Sequence, residues 1–130
     1  MLIAALFVSM AVIMPSTAQA GKKRDARVAY VLKNLRLKSD VQEKFRPMLD
    51  AYLKELGDLK DPYKKLKDSM QDAIDANKLT AAQCDQLFEV KQKQEEKEPA
   101  VHRKHYAKFK TVLTTQQAYK AIKLSDDKIE

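Results

Sequence analysis

The stretch that decides the fold is residues 45–73, FRPMLDAYLKELGDLKDPYKKLKDSMQDA. Its apolar positions are Phe45, Met48, Tyr52, Leu56, Leu59, Tyr63, Leu66, Met70 and Ala73, always three or four residues apart. Eight steps over 28 residues give a heptad-like seam, the pattern of a helix that packs along another helix. The phase carries through Gly57 and Pro62. Residues 40–76 therefore read as one long helix, bent or briefly broken near Asp61-Pro62 and kinked at Pro47. At the helical rise it would span about 55 Å. Asn77 suits a left-handed cap at its end.

Working outward, a second long helix is expected over 81–112. Its apolar positions are Cys84, Leu87, Phe88, Val101, Tyr106, Phe109 and Val112. Residues 91–99 hold no apolar side chain, so a bend or break is expected there, at or near Pro99. Val28, Val31, Leu32 and Leu35 mark a short helix over 25–36, and Tyr119 and Ile122 anchor another over 115–127. The fold class is all-α: a long antiparallel helical hairpin with short flanking helices. Two such helices leave apolar surface uncovered, which a two-fold dimer would bury.

Composition agrees. The 130 residues include two glycines, four prolines, one cysteine and no tryptophan. That excludes a disulfide scaffold, a cysteine-ligated zinc fold and a glycine-loop nucleotide site, and disfavours a turn-rich β fold. Beyond residue 20, 43 apolar and 43 charged residues share 110 positions, too little apolar material for a thick core.

Residues 1–20 carry no charge, and the apolar run Met1–Met14 is followed by Pro15 and Ala18-Gln19-Ala20. The run is too short to span a bilayer and ends in a small-x-small pattern, as a secretory signal peptide does, although no Lys or Arg precedes it. Cleavage is expected near Ala20, leaving 21–130 as one periplasmic helical domain. The net charge of +7 is uneven: +5 over 21–60, −2 over 61–98 and +4 over 99–130. In the envelope such charge meets acidic protein segments and lipid head groups rather than nucleic acid.

One local motif occurs twice. Leu79-Thr80-Ala81-Ala82-Gln83 and Leu113-Thr114-Thr115-Gln116-Gln117 are both Leu-Thr-x-x-Gln. Threonine at the N-cap accepts from the N3 amide, glutamine at N3 accepts from the N-cap amide, and leucine can staple onto N4, here Cys84 and Ala118. A weaker copy, Ser39-Asp40-Val41-Gln42, is expected to open the first long helix.

Two such boxes in an exported, all-helical chain resemble the LTxxQ-motif family of Spy/CpxP-like periplasmic proteins. The resemblance covers about 35–122. It implies a four-helix, cradle-shaped dimer. It further implies an ATP-independent chaperone that binds unfolded clients on a basic and apolar surface, or a repressor of an envelope-stress sensor kinase.

Arg46, Met48, Arg103, Lys104 and Lys108 are the candidate client-binding residues, since cations steer acidic segments and methionine makes adaptable apolar contacts. His102 and His105, three apart on one face, are weak metal candidates opposed by Arg103, Lys104 and Lys108. Cys84, at N4, is expected to be buried. No motif pairs a nucleophile with a base, so no enzyme and no cofactor are expected. The reading is an exported, stress-related chaperone for unfolded or aggregation-prone envelope proteins. The alternative is a regulatory or metal-responsive binding protein acting on a membrane stress sensor.

Overall fold

The computed structural model describes residues 21–127, and there the chain is all-helical, without a strand. The expected signal peptide lies outside the described residues. Helix α1 covers 21–35, α2 is Ser39–Ser69, α3 Gln71–Asp75, α4 Ala81–Phe109 and α5 Thr115–Asp126.

The prolines do not break the helices. Pro47 and Pro62 lie inside α2 and Pro99 inside α4, so of the bend or break expected near Pro62 and Pro99 the break does not occur. All three are exposed, and so are Glu43, Asp58 and Glu95, the residues four before them. Carbonyls that lose their amide partner there face water, which removes much of the cost. The break falls instead at Met70. The Ser69 hydroxyl donates to the Leu66 carbonyl at 2.6 Å, and the Met70 amide turns to Lys67 at 3.1 Å. After α3, Asn77 takes φ 55°, with its amide on Ile74 and the Lys78 amide on Ala73, a Schellman end. The second long helix also stops short of 112, at Phe109.

α2 and α4 pack along each other in opposite senses. Phe45 meets Phe109 with ring centroids 4.8 Å apart, Tyr52 meets His105 at 5.0 Å, and Tyr63 lies under the Lys91 ammonium at 4.9 Å. α1 lies against α2 through Arg24 and Asp50, 2.9 Å apart, and against α5 through Arg27, which donates to the Leu124 carbonyl at 3.1 Å. That arginine satisfies one of the last carbonyls of α5.

The core is built from only part of this framework. Val28, Val31, Leu32 and Leu35 of α1, Phe45, Leu49, Tyr52 and Leu56 of α2, Phe109, Leu113, and Ala118, Ala121 and Leu124 of α5 are buried together. Leu49 belongs to this core although the heptad seam skips it. Tyr119 does not anchor α5: it is 59% exposed, and the small residues Ala118 and Ala121 bring the helix close instead. Helices α1 and α5 thus close one end of the α2–α4 pair. The other end, from Gly57 through α3 to Glu98, has two layers of helix and a single buried residue, Gln94.

Candidate functional site

Both Leu-Thr-x-x-Gln segments form complete capping boxes. Thr80 Oγ1 accepts from the Gln83 amide at 3.1 Å, and Gln83 Oε1 accepts from the Thr80 amide at 2.9 Å. Thr114 and Gln117 repeat this at 3.1 and 3.0 Å. The Ser39 copy is corrected: the N-cap is Lys38, which makes no side-chain cap, and Ser39 already lies inside α2. Gln42 is then one position too late for N3, and its amide bonds to the Lys38 carbonyl in the ordinary helical way.

The two boxes sit in different surroundings. Leu113 and Ala118 are 6% and 0% exposed, so the staple of the α5 box is part of the core. At the α4 box Leu79 is half-buried and Cys84 is exposed, which corrects the expected burial of the thiol. Among the described residues no helix lies over that face to receive it.

The histidines also differ from expectation. His105 is 3% exposed and His102 half-buried, with both rings against Tyr52. His105 Nε2 lies 2.9 Å from Glu55 Oε1, and the Lys104 ammonium meets the same carboxylate at 2.7 Å. An orienting acid therefore exists, contributed by α2 from fifty positions away, where sequence spacing could not reveal it. Hydrogen bonds from Lys104 and then His105 hold the Glu55 carboxyl below its ordinary pKa, against a partial burial that raises it. Beside this pair the buried Tyr52 hydroxyl has no hydrogen-bond partner among the described residues. Burial pushes its pKa well up, with Asp126 and Glu98 adding to the rise. Among the described residues, no three His, Cys, Asp or Glu side chains gather as a metal site would require.

Arg46, Arg103 and Lys108 are exposed on the closed end, while Lys104 is engaged by Glu55 and Met48 packs half-buried on the core. The structure thus does not bring these five residues into one face with free side chains. What it does gather is an apolar strip on the open end. Leu59, Tyr63 and Leu66 of α2, Met70 at the break that follows it, and Leu87 and Val90 of α4 are all half-exposed, and Phe88 is 60% exposed. A groove of about 230 Å³ runs between the helices there, lined by Leu59, Pro62, Tyr63, Val90, Gln94 and two lysines, Lys93 and Lys97. The signal for it was present in the seam, whose Leu59 and Tyr63 fall opposite the stretch of α4, 91–99, that has no apolar residue.

Charge divides between the same two ends. Residues 21–56 and 99–127, the closed end, carry +5 and +4; residues 57–98 carry −2. No described helix is long and apolar enough to cross a membrane. No family model, curated protein or solved structure matches the chain.

Proposed function

We propose that this chain is an exported, ATP-independent chaperone of the LTxxQ type, holding unfolded or aggregation-prone envelope proteins reversibly. One observation carries the reading: the α2 seam runs on past the core as a half-exposed apolar strip with lysines beside it. A two-helix end of this kind offers loose contacts to many sequences, because aromatic, leucine and methionine side chains adapt to varied partners. The basic closed end would attract acidic segments over about a Debye length, and the strip would then hold apolar ones. In this reading α2 and α4 are the arms of a long antiparallel hairpin, and a second copy completes a cradle.

The test is suppression of aggregation of a chemically unfolded client by near-stoichiometric protein without nucleotide, at low and moderate salt. Suppression that weakens with salt is expected. Leu66→Ser with Phe88→Ser should weaken it severalfold while leaving the unfolding midpoint nearly unchanged, since neither side chain is in the core. Absence of suppression at both salt levels would overturn the reading in favour of a dedicated regulator with one folded partner.

A further inference from the structure

The groove at the open end holds a polar atom that the fold leaves without a partner. Gln94 lines that groove and is 5% exposed. Its Nε2 donates to Glu98 Oε1 at 2.8 Å, while its Oε1 is buried with no hydrogen-bond partner among the described residues. Turning the amide over would not help. A carboxylate only accepts, so the nitrogen must face Glu98 and the oxygen must face away. A buried acceptor without a donor is costly, and a leucine or methionine at this position of α4 would have avoided the cost.

The rest of the lining indicates what such a donor would be attached to. Leu59, Tyr63 and Val90 form apolar walls; all three are half-exposed and none belongs to the core, so they can part to admit a group. The charged residues of the lining are Lys93 and Lys97, both cationic. They stand one turn apart on one face of α4, close enough to share an anion. Both are exposed, and neither pairs with a carboxylate among the described residues. Residues 57–98 carry −2 in sum, so the groove is a cationic spot on an otherwise acidic end. Its volume of about 230 Å³ exceeds the roughly 150 Å³ cavity that admits benzene and falls below the roughly 300–1,000 Å³ of drug-sized sites. One or two residues of a peptide fill such a space.

The occupant that satisfies this lining brings an apolar group, an N–H donor and a carboxylate close together. A fatty acid lacks the donor. An internal acidic residue of a peptide spends its side chain on the carboxylate and needs a second residue for the apolar walls. The last residue of a polypeptide carries all three around a single Cα when its side chain is apolar. We propose that the groove between α2 and α4 receives the apolar C-terminal residue of a polypeptide. The side chain lies between Leu59, Tyr63 and Val90, the amide N–H donates to Gln94 Oε1, and the α-carboxylate meets Lys93 and Lys97. That this polypeptide is an unfolded client rests on the chaperone reading above; the selectivity of the groove does not.

Short fluorescent peptides ending in leucine, titrated with the full chain and read by anisotropy, test it. The free acid should bind about tenfold tighter than the C-terminal amide, which cannot make the charged contact. Methylating the nitrogen of the terminal leucine removes the donor and should weaken binding about fivefold. Gln94→Met keeps the length of the side chain and removes the acceptor. In that variant the methylation penalty should vanish while the difference between acid and amide persists, and Lys93→Gln with Lys97→Gln should do the reverse. Helix content should hold in both, since the lysines are exposed and Gln94 lies outside the core. Octanoate, a carboxylate without a donor, should compete only weakly. Equal binding of acid and amide, penalties that survive the variants, octanoate competing as well as the peptide, or no binding of the free acid at about 1 mM would overturn the proposal. If the peptides show the expected selectivity but client aggregation is not suppressed, the site stands and the chaperone reading falls. If clients are held and the peptides show no selectivity, the site falls and the chaperone reading stands.

Discussion

The two Leu-Thr-x-x-Gln boxes make the same two hydrogen bonds at opposite ends of the molecule, and the ends differ in nearly everything else. At the α5 box, Leu113 and Ala118 are sealed into a core built from four helices. At the α4 box, Leu79 is half-buried, Cys84 is exposed and the described residues form only two helical layers. Capping fixes where a helix starts and satisfies its first amides. It does not supply a partner for the apolar face that follows. Stability in this chain should therefore be concentrated at the end where α1 and α5 supply one, with the other end opening at lower cost.

The sharpest break of that comparison is a matched pair of aromatic truncations. Phe109 is fully buried between Phe45 and Tyr52, with ring centroids 4.8 and 5.5 Å away. Phe109→Ala should cost about 3–5 kcal/mol, read from denaturant midpoints. Phe88→Ala, at a side chain 60% exposed, should stay within about 0.5 kcal/mol. Equal losses would mean that the open end is covered in solution. The caps give a second pair. Thr114→Ala should lower global stability by about 1 kcal/mol. Thr80→Ala removes the same bonds but should speed amide exchange in the first turns of α4 with little movement of the global midpoint.

The closed end was largely legible in the sequence. Val28, Val31, Leu32 and Leu35 keep a helical face, and both boxes mark helix starts because their bonds are local. The open end was less so. The seam from Phe45 to Ala73 has one period throughout, so it reads as one buried stripe. Burial depends on what lies opposite, and opposite Tyr63 the partner helix offers Lys91 and Gln94 in place of a leucine. The break at Met70 escaped for a similar reason: the sequence draws attention to Pro62, whereas the competing hydroxyl is that of Ser69. The carboxylate that orients His105 was not legible because Glu55 lies fifty positions away in sequence. Tyr119 and Cys84 have apolar character at helical spacing, yet α5 approaches through alanines and Cys84 is exposed.

Tyr52 stands at the level where the two ends meet, and its hydroxyl is buried without a partner among the described residues. Tyr52→Phe keeps the ring contacts and removes an unsatisfied group, so it should stabilise the protein by about 1 kcal/mol. It should also flatten the alkaline limb. The folded pKa lies above the unfolded one, so wild-type stability is whole below about pH 10 and falls as pH rises past that value. A loss of stability on substitution would mean that the hydroxyl finds a partner, such as water, that the packing conceals.

Glu55 provides the smallest and most specific test of the junction. Its carboxylate receives Lys104 and His105 from α4 and is the ion pair between α2 and α4 nearest the open end. Its folded pKa is lowered, so the pair contributes above the unfolded value of about 4.3 and is lost as pH falls through the folded value. Glu55→Gln should therefore be less stable than wild type at pH 7, and the gap should narrow as pH drops toward 3. The Arg24–Asp50 ion pair is common to both proteins and cancels in that difference. A gap that stays constant from pH 7 to 3 would assign the loss to packing rather than charge. If the pair joins the two ends, amide exchange in Glu55→Gln at pH 7 should quicken more over 57–75 and 81–98 than in α1 or α5. Uniform quickening would instead make the whole molecule one cooperative unit, and the distinction between its ends would then be one of exposure alone.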